Sequence, residues 1–128
     1  MTGDAITLTI PRDRPFYGVA RLVVGGLAAR LELSYEHLED LQLALESVLA
    51  NDAYSVGDEV TVEMLVEGGS VRLAVGPLKG DSLRADLEQR EGIALGRLLG
   101  TVVEGVEVEQ RDGAAWVRFA KRIPGAAA

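Results

Sequence analysis

The chain has 128 residues, with 13 Lys and Arg against 20 Asp and Glu, a formal charge of −7, one His and no Cys. That length suits one domain with its own core, and the lack of Cys excludes a disulfide framework and cysteine zinc sites while fitting a reducing compartment. The charge repels phosphate backbones and no basic run offsets it, which argues against a nucleic-acid partner.

No apolar run approaches the roughly 20 residues of a membrane span, and Met1-Thr2-Gly3-Asp4 lacks the basic start of a signal peptide. The expectation is a cytoplasmic protein with no membrane partner. His37 alone makes no histidine metal cluster.

In chain order, Ile6, Leu8 and Ile10 alternate with Thr7 and Thr9, the period of a strand with one apolar face, and Pro11 ends it. Asp13 is placed to cap a helix with Pro15 in its first turn. Phe16, Val19, Ala20, Val23, Leu27 and Leu31 carry its apolar stripe, and the helix is predicted to reach Leu33. Gly25-Gly26 in its middle lowers helical propensity by roughly 1 kcal/mol per residue, which predicts close packing or a bend.

Ser34 caps a second helix with Glu36 in its first turn. Leu38, Leu41, Leu45, Val48 and Leu49 form its buried stripe, and Asp40, Ala44, Ser47 and Asn51 line the edge of that stripe. Glu46 lies about 140° round the helix from Asn51 and reads as a solvated residue. By itself, Asn51 at a helix end reads as a C-terminal cap.

Val60, Val62, Met64 and Val66 alternate with polar residues up to Gly68-Gly69, and Val71, Leu73 and Val75 return, which predicts a hairpin on a two-residue glycine turn. A second hairpin pairs Val106 and Val108 with Val117 and Phe119 across Asp112-Gly113, in a register that sets Glu107 opposite Arg118. Between the hairpins, Gly76 to Arg90 is predicted as a long connection with a helical turn at Leu83 to Leu87, its Gly76, Pro77 and Gly80 reading as turn residues. Leu95, Leu98, Leu99 and Val102 then give a third helix opening near Glu91-Gly92.

These stripes are all satisfied by an α+β two-layer sandwich, a five-stranded mixed sheet with three helices on one face. Residues 1–123 form a single domain in this reading and 124–128 a flexible tail. The outer sheet face carries Leu65, Ala74 and Trp116 among its charges, as a modest contact patch or as scattered surface apolar residues.

The element order, together with Asp40-Leu-Gln-Leu-Ala-Leu-Glu-Ser-Val-Leu-Ala-Asn51, resembles the GHKL or Bergerat ATP-binding fold of histidine-kinase-like ATPases. Within it the resemblance is to the small anti-sigma-factor serine kinases that regulate bacterial stress and sporulation sigma factors. It extends from Ile6 to Arg122.

In that family a helix bears Glu-x-x-x-Asn, the Asn ligating magnesium and the Glu acting as general base. An Asp-x-Gly-x-Gly loop reads adenine, and a Gly-x-Gly-Leu element opens the next helix beneath the phosphates. Magnesium needs oxygen ligands on one helix face, the adenine amino group needs a carboxylate acceptor, and glycines let backbone amides approach phosphate.

Carried onto this chain, the resemblance puts Asn51 at the metal position and Ser47 at the base position, with Ser55 where many relatives have His. Gly76 stands where the adenine Asp belongs, Leu78 where the first Gly belongs, and Gly80 keeps the second. Gly92-Ile93-Ala94-Leu95 keeps one glycine of two.

A missing base removes about 10²–10⁴ in rate. A missing adenine carboxylate leaves a buried amino group unpaired at roughly 1–3 kcal/mol.

The reading is therefore an anti-sigma-factor-like regulatory protein that acts by protein–protein binding, with ATP binding and kinase activity lost and no cofactor. Its implied partners are a sigma factor, a STAS-domain antagonist and a second copy of the chain, with Arg14, Arg21 and Arg30 of the first helix as the docking guess. Two alternatives stay open. One is an active serine kinase holding Mg-ATP through Asn51, Gly80 and Gly92; the other is a small-ligand or dimerisation module on the same fold.

Overall fold

The computed structural model describes residues 5–89 and 94–123. Strand β1 (Ala5–Pro11) leads into α1 (Arg14–Arg30), which begins after Asp13 with Pro15 in its first turn. Asp13 sits at the N-cap with no side-chain bond to the helix. Helix α1 runs unbroken through Gly25-Gly26: Gly25 faces Gln42 of the next helix, and nothing lies within 4 Å of the Cβ position of Gly26.

Helix α2 (Tyr35–Leu49) starts where Ser34 predicts, because the Ser34 side chain accepts the His37 N–H at 3.2 Å. It buries Leu41, Ala44, Leu45, Val48 and Leu49. A single 3₁₀ turn, Asp52–Tyr54, follows it.

Strands β2 (Glu59–Glu67) and β3 (Ser70–Leu78) form the first hairpin. Gly68 and Gly69 take φ of 58° and 79°, a turn backbone that L side chains avoid. Helices α3 (Gly80–Glu88) and α4 (Leu95–Val102) come next, then β4 (Glu104–Arg111) and β5 (Ala114–Arg122). In the second hairpin Glu107 lies opposite Arg118, as the alternation predicts.

The α+β two-layer sandwich stands, with two details changed. The sheet order is β1-β2-β3-β5-β4 and every adjacent pair is antiparallel, so the sheet is not mixed. Because β5 inserts between β3 and β4, the two strands joined by the long connection never pair directly.

The described residues also hold four α-helices, not three, because the connection after β3 folds as α3. Strand β3 itself runs on through Gly76, Pro77 and Leu78, where a loop was predicted. The residues expected as a tail, 124–128, lie outside those described.

The helix layer follows the sheet. Helix α1 packs on α2 and over β1, α2 on α4, and α4 on α3. Between the layers lies one core that includes Leu45, Met64, Leu73, Leu99 and Phe119.

Candidate functional site

The end of α2 delivers Asn51 as predicted in position but in another role. Asn51 is neither in the helix nor its C-terminal cap; it is the N-cap of the 3₁₀ turn, and its Oδ1 accepts the Ala53 N–H at 2.9 Å. One lone-pair direction of the only oxygen this side chain could give a metal is thereby engaged. Ser47 donates its hydroxyl to Leu43 O at 2.7 Å, a bond back into its own helix.

The Glu46 side chain is 38% exposed, as its place away from Asn51 predicts. It pairs with Arg21 of α1 at 2.8 Å and ties the two helices together. Asp40 reaches across to β5, where the Lys121 ammonium donates to its carboxylate and to Val102 O, both at 2.8 Å.

At Gly76, where the resemblance puts the adenine carboxylate, there is no room for a side chain. Gly76 is buried and points to the outer sheet face, where a Cβ would come within 2.4 Å of Trp116 Cδ2. The Trp116 indole is covered in turn by the Arg111 guanidinium, 4.3 Å from the ring centroid. Arg111 also bonds Glu63 at 2.8 Å and Glu109 at 2.5 Å, which holds the stack in place. Its pKa is raised by these carboxylates.

Leu78, at the place of the family's first glycine, is 2% exposed within the core, and its strand end bridges to Ser55. Gly80 opens α3, and its Cβ position lies 2.8 Å from Arg84 Nη1 and 3.3 Å from Ala115 Cβ. Leu95 is buried at the first turn of α4. Gly92 falls outside the described residues.

Residues outside the family motifs pack over this region. Tyr54 is fully buried between the 3₁₀ turn and α3, and its hydroxyl donates to Asp86 Oδ2 at 2.5 Å. The Lys79 N–H donates to Tyr54 O at 2.9 Å, stitching the same turn to the end of β3. Arg12, after β1, donates to Pro77 O at 2.5 Å and to Val56 O at 3.2 Å. A tyrosine three residues past Asn51 and an arginine after a strand-ending proline were the only available signals.

Burial first, and then the bond to Asp86, push the Tyr54 phenol above its ordinary value. A group whose pKa rises on folding stabilises the fold fully below its unfolded pKa, so this contribution is lost as pH climbs past about 10. Tyr54→Phe is expected to cost about 1–3 kcal/mol at neutral pH by leaving the Asp86 oxygen without its donor. It should also flatten the fall in melting temperature above pH 10, which thermal melts across that range read directly.

Among the described residues no cluster of three or more acidic or histidine side chains could hold a metal ion. Among these residues, surface grooves lie along the outer sheet face, between α3 and β4, and at the start of β2. One, of about 320 Å³, lies on the outer sheet face between Leu65, Arg72, Ala74 and Arg118.

An antiparallel five-stranded sheet with its helices on one face, and an Asn at the end of the second helix beside the end of β3, is the sandwich of the GHKL class. No protein-family profile matches the chain. It is similar to the serine-protein kinase RsbW of Halalkalibacterium halodurans, 29% identical over 93% of this chain and 85% of that protein. RsbW of Bacillus pumilus is 29% identical over 94% of this chain and 89% of its own length. RsbW of Listeria monocytogenes serotype 4a is 34% identical over 69% of this chain, a match that spans 57% of the Listeria protein. Over most of its length the chain is thus similar to serine-protein kinases named RsbW.

Proposed function

We propose that this chain is a regulatory member of the anti-sigma-factor serine kinase family which acts by binding protein partners, with ATP binding and kinase activity lost. The observation that supports this reading is at Gly76, the position of the family's adenine carboxylate, where Trp116 leaves no room for a side chain. The partners are a sigma factor or a STAS-domain antagonist, met in the cytoplasm. Among the described residues no helix is long and apolar enough to cross a membrane.

Docking falls on α1. Arg21 is committed to Glu46, so the contact there passes to the outward side of the helix, where Leu22 is 76% exposed.

Titration calorimetry with Mg-ATP tests the loss of nucleotide binding. No heat at millimolar nucleotide is the expected result, and micromolar affinity overturns it. A second reading, an active serine kinase, draws on these relatives, which are serine-protein kinases. In that reading Asn51, Gly80 and Gly92 hold the nucleotide, and the same titration decides between the two.

A further inference from the structure

On the outer face of the sheet, away from the described helices, long side chains surround short ones. Arg72 of β3 lies opposite Leu65 of β2 and Ala120 of β5, and Ala74 lies opposite Glu63 and Arg118. Ala74 and Ala120 are thus diagonal neighbours and form a low floor between longer residues. Beyond Ala120 the register of β4 shifts at Gly105, which has φ of +60° and no side chain to fill the space. The result is the groove of about 320 Å³, a volume at which small-molecule sites begin.

The carboxylates that border this groove are engaged. Glu63 binds Arg111 at 2.8 Å and Glu107 binds Arg118 at 3.1 Å, while Arg118 also meets Glu109 at 3.3 Å. Arg72 differs from these arginines. Its partner Glu67 stands 4.0 Å away, outside hydrogen-bond reach, and the Arg72 side chain is 58% exposed. In a chain of charge −7 the groove therefore carries a guanidinium that keeps donors for a further anion.

A planar guanidinium takes a carboxylate through two parallel hydrogen bonds. Leu65, Ala74 and Ala120 supply apolar surface beside it. Glu63 and Glu107 on the same rim repel further negative charge, which disfavours nucleotides and other polyphosphates. A floor of three apolar residues is also far smaller than one side of a protein interface, about 20–30 residues.

We propose that this groove binds a small organic monocarboxylate with a compact apolar body, its carboxylate on Arg72 and its body over Leu65, Ala74 and Ala120. The inference does not rest on the loss of nucleotide binding, since the groove lies on its own part of the sheet.

Trp116, the single tryptophan, offers a direct readout. It follows Arg118 on the same face of β5, and Arg111, which lines the groove, covers its ring. Phenylacetate is expected to change the Trp116 emission saturably. Phenylacetamide, of the same shape and without the charge, should bind about tenfold more weakly. Arg72→Gln should weaken phenylacetate to the same degree, with the far-UV circular dichroism unchanged. Arg84→Gln, in the groove between α3 and β4, should leave the affinity as it is.

Backbone amide NMR shifts on the unmodified protein give a second measurement that needs no variant. On adding phenylacetate they should concentrate at Leu65, Arg72, Ala74 and Ala120. No saturable change with phenylacetate, benzoate or hexanoate at about 10 mM overturns the proposal. So does equal affinity for the acid and its amide, an unchanged affinity in Arg72→Gln, or a set of shifts centred on another groove.

Discussion

Gly76→Asp, which restores the carboxylate of the family's adenine loop, is expected to lower the melting temperature by about 10 °C and to give no nucleotide binding. Its Cβ would lie 2.4 Å from Trp116 Cδ2 and 2.5 Å from Cγ, so the indole must leave its place on β5. The indole is held from above by Arg111, which is itself bonded to Glu63 and Glu109. Overpacking of this kind costs about 1–3 kcal/mol, and burying a new carboxylate adds to it. A loss of about 3 kcal/mol corresponds to the stated shift for a domain of this size.

The steric cause makes a further prediction. In a Trp116→Ala background Gly76→Asp should cost much less than in the unmodified chain, a coupling that a double-mutant cycle of thermal or urea melts measures. Equal costs in the two backgrounds would show that the ring is not what excludes a side chain at Gly76.

Where period-two alternation and glycine turns carried the information, the sequence was legible. Strands β1, β2, β4 and β5 and the Glu107–Arg118 register follow from residues that neighbour one another along the strand or across a hairpin. The end of β3 is not legible locally, because Gly76, Pro77 and Gly80 are ordinary turn residues in isolation. What keeps Gly76-Pro77-Leu78 extended is distant in sequence, namely Arg12 on the Pro77 carbonyl and the bridge from Ser55 to Leu78.

The antiparallel character of the whole sheet was hidden for a related reason: element order does not say that β5 inserts between β3 and β4. At the candidate site, the residue types at the family positions could be read, but not what occupies the space around them. Helical angles placed Glu46 away from Asn51, yet its bond to Arg21 depends on how α1 crosses α2. Nothing local marked Trp116 as the neighbour of Gly76 or Tyr54 as the partner of Asp86.

Gly96→Ala is expected to be the more disruptive substitution, because its new carbon would meet backbone and not a movable side chain. The Cβ position lies 2.2 Å from Leu87 O and 2.4 Å from Gln89 O, the carbonyls at the end of α3. Helix α4 is anchored in the core by Leu95, Leu99 and Val102, so α3 is the element that must retreat. Helix α3 carries both Leu83, fully buried, and Asp86, the acceptor for Tyr54, so its retreat loosens the closure over the end of α2.

A loss of about 3 kcal/mol or more is expected in urea melts. Amide hydrogen exchange should quicken in residues 80–88 well before it does in β2 and β3, as for a unit that opens on its own. Uniformly faster exchange across the chain would mean that α3 and the sheet open as one unit, and that the end of α2 is not closed by a separable helix.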